Sequence, residues 1–103
     1  MSKKGIFEEI YKLVVKIPKG KVSTYGDLAK ALGFVDSRVV GWALHGNKNP
    51  KVPCHRVVNK NGDLAKGYVF GGWQKQKERL TEEGISFKNN KSVDLENFRV
   101  DPN

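Results

Sequence analysis

Cys54 stands between Pro53 and His55, with Arg56 next, inside the short apolar run from Val52 to Val58. It is the only thiol in the chain. A thiol attacks as its thiolate, and from a free pKa of roughly 8.5 it needs a nearby base or cation to do so at neutral pH. His55 offers a base and Arg56 a cation. Adjacent side chains on an extended strand point to opposite faces, so contact between Cys54 and His55 requires a bridging water or a helix that begins at the cysteine. The competing role for a free cysteine is that of a small buried hydrophobe. One cysteine excludes an internal disulfide, and one Cys with two His cannot supply zinc-finger ligands.

The elements that would position this segment are mostly helical. Ile6, Phe7, Ile10, Leu13, Val14 and Ile17 recur at three- and four-residue steps, with Glu8, Glu9, Lys12 and Lys16 between them. That spacing predicts an apolar helix face over 6–17, ended by Pro18. Ser23 and Thr24 are candidate N-caps for a short helix carrying Tyr25, Leu28, Ala29, Ala31 and Leu32, with Asp27 in its first turn and Gly33 as its stop. Asp36 or Ser37 caps a second short helix over about 38–45, ended by Gly46. The pair reads as a helix-turn-helix over about 24–46. After the extended run around Cys54, Asn61-Gly62 predicts a tight turn and a short hairpin. Trp73, Gln76, Lys77 and Leu80 mark a third main helix over 73–83, stopped by Gly84. The tail has strand-like Ile85-Ser86-Phe87 and a polar turn at 89–91. The expected fold class is α+β, mostly helical, in a single domain over 1–103.

At 103 residues there is room for one small core, not for a multidomain enzyme or a deep internal cofactor cavity. Nineteen Lys and Arg against eleven Asp and Glu give a net charge of +8, which points to a polyanionic partner, nucleic acid ahead of a membrane surface. Lys19, Lys21, Lys48, Lys51, Arg56 and Lys60 could meet phosphates, although a run of charges is more often a solvated face. The start, Met1-Ser2-Lys3-Lys4-Gly5, reads as neither signal peptide nor membrane span. The expectation is a monomeric, cytoplasmic protein, nucleoid-associated in a prokaryote, with no membrane partner, no metal and no cofactor.

Val52-Pro53-Cys54-His55-Arg56-Val57-Val58 resembles the Pro-Cys-His-Arg-Val active-site motif of the O6-alkylguanine-DNA alkyltransferases. Residues 17–29, Ile-Pro-Lys-Gly-Lys-Val-Ser-Thr-Tyr-Gly-Asp-Leu-Ala, resemble that family's entry into its winged-helix-like helix-turn-helix, and 37–44 its recognition helix. Gly46-Asn47, Gly71-Gly72 and Leu80-Thr81-Glu82-Glu83-Gly84 extend the likeness over about 5–87. The layout is also similar to the alkyltransferase-like proteins, short lesion binders in which another residue generally replaces the cysteine. Residues 74–80 and the tail through Asn103 resemble that branch.

The resemblance implies roles residue by residue. Cys54 accepts the alkyl group, His55 acts as base through water, Glu83 orients the imidazole, and Asn47 ties the turn after the recognition helix to the active-site segment. A carboxylate such as Glu83 near a helix C-terminus is otherwise mildly unfavourable. The partner implied is double-stranded DNA with an alkylated guanine, and other repair proteins in the sensor branch. A base inside a duplex cannot present its O6 substituent to a thiol, so it must be flipped out. Arg38 then fills the stack and Tyr25 crowds the target phosphate, with Ser23, Thr24, Trp42 and Arg56 also at the DNA. Trp42 departs from the small residue many repair members have nearby. Val57 and Val58 supply backbone groups to the lesion pocket, and Tyr68, Val69 and Phe70 its wall, on a 62–72 loop longer than in many repair members. Two functions follow: irreversible alkyl transfer to Cys54, or non-catalytic sensing of the lesion. A plain helix-turn-helix transcription factor would leave Cys54, His55 and Glu83 without a use.

Overall fold

A computed structural model of the chain describes residues 3–65 and 67–102. Met1 and Ser2, at the start read as leaderless, Lys66 in the long loop, and Asn103 at the end of the tail lie outside the described residues. The elements run α1 (Lys3–Val15), β1 (Ser23–Thr24), α2 (Tyr25–Leu32), α3 (Ser37–His45), a single 3-10 turn (Cys54–Arg56), β2 (Val57–Val58), α4 (Gly72–Glu82), β3 (Phe87–Asn89), β4 (Ser92–Val93) and α5 (Leu95–Phe98). The result is the mostly helical α+β fold that the apolar spacing predicts.

Local chemistry explains the helix boundaries. Thr24 and Asp27 form a reciprocal capping box at the start of α2: the Thr24 hydroxyl accepts the Asp27 N–H at 3.0 Å, and the Asp27 carboxylate accepts the Thr24 N–H at 3.3 Å. Gly33 closes α2 in the left-handed region at φ 80°. Asp36 caps α3 by accepting from the N–H groups of Arg38 and Val39 at 2.9 and 3.2 Å. In α1 the last turn tightens, Lys16 and Ile17 donating to Leu13 and Val14, before Pro18 stops it.

Two apolar clusters fill the interior. The first joins Ile10, Val14 and Ile17 to Leu28 of α2 and to Val40 and Ala43 of α3. The Tyr11 hydroxyl adds a hydrogen bond to the Ala43 carbonyl at 2.6 Å. The second joins Val22, Val58, Leu64, Leu80, Ile85 and Val93. Between them lies the parallel pair β1–β2, with Ser23 opposite Val57 and Thr24 opposite Val58. Because successive strand side chains point to opposite faces, Val57 enters the first cluster and Val58 the second.

The hairpin expected at Asn61-Gly62 does not form, although the turn does. Asn59 accepts the Gly62 N–H at 2.9 Å on its carbonyl, and the N–H groups of Asn61 and Asp63 on its side chain. The chain beyond the turn pairs with β4 instead of β2: Gly62 O accepts the Val93 N–H at 2.8 Å, and Asp63 bridges to Ser92. The physical reason is that β2 is already engaged. One side pairs with β1, and the Val57 carbonyl accepts from the buried Gln76 amide at 3.0 Å. The tail is stitched back by mutual backbone bonds of Val22 with Phe98 and Val100, and by Arg99 on the Asp27 carboxylate. Among the described residues no helix is long and apolar enough to cross a membrane.

Two glycines with positive φ make contrasting demands. A Cβ on Gly33 would meet nothing within 4 Å, whereas one on Gly62, at φ 86°, would lie 2.6 Å from the Val93 carbonyl oxygen. Gly33→Ala is expected to cost about 1–2 kcal/mol, the strain of a left-handed residue alone. Gly62→Ala costs more, because a paired backbone group must also move. Urea unfolding of the two variants measures the difference, and equal losses would contradict it.

Candidate functional site

The segment around Cys54 is a turn, not a strand. The Arg56 N–H bonds to Pro53 O at 3.0 Å and the Val57 N–H to Cys54 O, coiling Cys54–Arg56 into one 3-10 turn. Successive side chains on such a turn diverge by about a third of a circle. Cys54 and His55 consequently open on different cavities. Cys54 lines a cavity of about 170 Å³ between α3 and the loop before α4. His55 lines a separate depression beside α4, with Lys19, Arg79 and Glu83.

Behind His55 lies a tight charged cluster. Glu83, the residue that ends α4, accepts from His55 Nε2 at 3.0 Å and from Arg56 through Nε at 3.0 Å and Nη2 at 2.7 Å. This two-pronged geometry is the strong form of an arginine–carboxylate pair. The remaining Arg56 nitrogen, Nη1, donates to the Ile17 carbonyl at 2.9 Å. Burial pushes the Glu83 carboxyl up, but hydrogen bonds from Arg56 and His55 outweigh it and hold the group below its ordinary range. A carboxylate only accepts, so His55 Nε2 carries the proton and Nδ1 is left with its lone pair when the ring is neutral. Burial lowers the imidazole pKa against the opposing pull of Glu83, which favours that neutral form.

Cys54 itself is 5% exposed. Burial raises its thiol above the ordinary value, partly offset by Asn47, whose Nδ2 donates to Sγ at 3.1 Å. The same Asn47 amide donates to Asn49 O at 2.9 Å, and its oxygen accepts the Asn49 N–H at 3.0 Å. The asparagine thus joins the end of α3 to the thiol, the place the motif resemblance implies. The resting group is a protonated, hydrogen-bonded thiol with a base on the next residue, not a standing thiolate.

The other expected site residues divide into those brought to the cavity or the surface and those turned inward. Tyr25 and Tyr68 line the Cys54 cavity. Phe70 does not; it packs edge-on against Tyr68 with ring centres 6.0 Å apart. Arg38 and Trp42 stand one turn apart on the outer face of α3, the Arg38 side chain 80% exposed and Trp42 60% exposed. The Arg38 guanidinium donates to its capping neighbour Asp36 at 3.3 Å.

Arg56, expected at phosphates, is spent on Glu83 and Ile17 with its side chain 16% exposed. Ser23 and Thr24, expected at DNA, are buried in β1 and bind Asp27. Val57 and Val58, expected to present backbone to the pocket, are buried in the β1–β2 seam, and the Val57 carbonyl is taken by Gln76.

Two further residues matter here. His45, at the end of α3, lines the cavity and bonds the Gly67 carbonyl through Nδ1 at 3.1 Å, clasping the loop to the helix. Its place seven residues after Arg38 on one helix was the available signal. Gln76 is fully buried and donates to the carbonyls of His55 and Val57 while accepting the Ala65 N–H. An amide within the apolar stripe of α4 marks such a bracket. Among the described residues no group of acidic, His and Cys side chains is arranged to hold a metal ion.

With this geometry the comparisons agree. Residues 5–85 match the family described as 6-O-methylguanine DNA methyltransferase, DNA binding domain. The chain is 43% identical over 81 residues to Alkyltransferase-like protein 1 of Schizosaccharomyces pombe, covering 77% of this chain and 75% of that protein. It is also 43% identical over 89 residues to a methylated-DNA–protein-cysteine methyltransferase of Methanocaldococcus jannaschii, with 82% of this chain covered but only 50% of that protein. The chain therefore spans half the length of that relative. Among solved structures, S. pombe Atl1 in complex with damaged DNA containing O6-carboxymethylguanine superposes with a TM-score of 0.86 at 34% identity, over 97% of this chain and 98% of that one.

Glu83→Gln should lower unfolding free energy at neutral pH by on the order of 3 kcal/mol, since it strands a largely buried guanidinium. An unchanged urea midpoint would show that the cluster is not a structural clamp. The pH dependence has a definite sign as well. His55 and Glu83 are both held below their ordinary values of 6.5 and 4.5, so the folded state binds fewer protons than the unfolded chain below each value. Their contribution to stability is complete above pH 6.5 and falls on acidification, first as the unfolded-state His55 charges, then as the carboxyl does. Replacing His55 with Gln should flatten the upper part of that fall in a pH series of unfolding curves.

Proposed function

The chain belongs to the family of the 6-O-methylguanine DNA methyltransferase DNA-binding domain, and from that premise we propose that it repairs O6-alkylguanine in duplex DNA by moving the alkyl group irreversibly onto Cys54. One observation carries the reading: a thiol held by Asn47 at 3.1 Å at the wall of a cavity, followed in the chain by a histidine paired with a carboxylate. This is the nucleophile–base–orienter order of covalent catalysis, adapted to a thiol.

In the proposed reaction α3 enters the minor groove, where readout carries little sequence information and suits a search for damage. Arg38 takes the place of the extruded nucleotide, and the aromatic surfaces of Tyr25 and Tyr68 receive the base. The net charge of +8 supplies attraction to phosphates and makes binding salt-dependent. The neutral His55 takes the thiol proton through water at Nδ1, while Glu83 holds Nε2–H and stabilises the imidazolium as it forms. The thiolate sulfur forms a bond to the alkyl carbon and the carbon–O6 bond breaks, its electron pair leaving with the base. The base gains the proton held by the imidazolium, returned through water, and becomes ordinary guanine, leaving His55 neutral. A thioether is a poor leaving group, so each molecule acts once.

A non-catalytic lesion sensor is the second reading, favoured by the likeness to S. pombe Atl1. That protein, solved on DNA containing O6-carboxymethylguanine, superposes on 97% of this chain with a TM-score of 0.86. The two functions separate on a mass measurement. After incubation with duplex DNA containing O6-methylguanine, the wild-type protein is expected to gain one methyl group per molecule and then stop, while Cys54→Ala gains none yet still binds. Tight binding with no added mass would give the function to the sensor. Equal binding of damaged and undamaged DNA with no added mass would remove both.

A further inference from the structure

Tyr68 has the one buried side-chain polar atom among the described residues that finds no hydrogen-bond partner. The residue is 6% exposed and lines the Cys54 cavity. Its backbone is settled, the N–H on Ala65 O and the carbonyl accepting from Gly72, and its ring is braced by Phe70. The hydroxyl alone is left over. A buried hydroxyl without a partner is costly and rarely retained, and a phenylalanine would build the same apolar wall without that cost. Burial also raises the phenol above its ordinary value, so it stays protonated and able to donate at neutral pH.

We infer that the Tyr68 hydroxyl is a specificity-determining contact, donating a hydrogen bond to an acceptor on the edge of the purine that enters the Cys54 cavity. The inference rests on the reading that the cavity receives an extruded alkylguanine. Guanine carries acceptors at N7 and O6 along one edge. A site built to hydrogen-bond its ligand also rejects ligands that leave the buried group unpaired, which an apolar wall cannot do. In this cavity Cys54 would supply the chemistry and Tyr68 the recognition. The loop that carries Tyr68 is clasped to α3 through His45 and Gly67, so the hydroxyl is positioned relative to the thiol before any base arrives.

The test compares the wild-type chain and Tyr68→Phe on two duplexes that differ only in O6-methylguanine against guanine, by fluorescence anisotropy, alongside urea unfolding of both proteins. The expected result is a loss of about five- to tenfold in affinity for the damaged duplex, the scale of one hydrogen bond. Affinity for the undamaged duplex should be unchanged and the variant no less stable than the parent. Undiminished preference for damage in Tyr68→Phe would overturn the inference alone. So would parallel loss on both duplexes, or a destabilised variant, which would show that the hydroxyl serves the fold. A wild-type chain that binds both duplexes equally would overturn the inference, and if it also gains no methyl group, the functional reading with it.

Discussion

A single carboxylate organises the half of this molecule that holds Cys54. Glu83 accepts hydrogen bonds from two consecutive residues of the 3-10 turn, and one of these, Arg56, also holds the carbonyl of Ile17. The end of α4, the Cys54 turn and the exit from α1 are thereby fixed to one point. The position of Glu83 at a helix C-terminus, poor for an isolated carboxylate, is the consequence of that geometry. Without it the turn would lack its cross-link to the end of α4. Charge pairs of this kind contribute less net stability than their short distances suggest, because both partners give up water. Their structural value is orientation.

The resulting electrostatics describe a poised thiol. Burial opposes the charged form of Cys54, and no cation among the groups shifting it favours the thiolate. Asn47 donates to the sulfur and steadies it without ionising it. A resting thiol kept protonated is less open to oxidation than a standing thiolate, which reacts with any accessible electrophile. Under the proposed single transfer, this keeps the sulfur quiet until a ligand fills the cavity.

Much of this was legible in the sequence wherever the deciding forces are local. Thr24 with Asp27, Asp36 and Gly33 announce the two short helices because caps act within three or four residues. The Cys54-His55 pair and Asn47 were legible through motif likeness. The inward role of Arg56 was not, since a cation in a sequence carries no sign of whether its partner is a phosphate or a distant Glu83. The Asn61-Gly62 turn was correct as chemistry, and its partner was wrong. Turn residues specify that a chain reverses, while the strand it then meets depends on which edges are still free, and Gln76 had already closed one. The cavity wall likewise depends on packing between α3 and a loop far along the chain.

The seam between β1 and β2 is only two residues long, yet its register is well defended. Val57 and Val58 are identical in type and go to opposite clusters. Sliding the strand by one position in either direction would drive Arg56 or Asn59 into an apolar interior. The polar neighbours thus act as stops at both ends of a very short ladder, and each wrong alignment is penalised rather than merely unrewarded. Cys54 precedes this ladder by only three positions, so an offset there would carry the thiol away from Asn47. The accuracy with which a sulfur atom is placed is inherited from the intolerance of two hydrophobic interiors for their polar flanks.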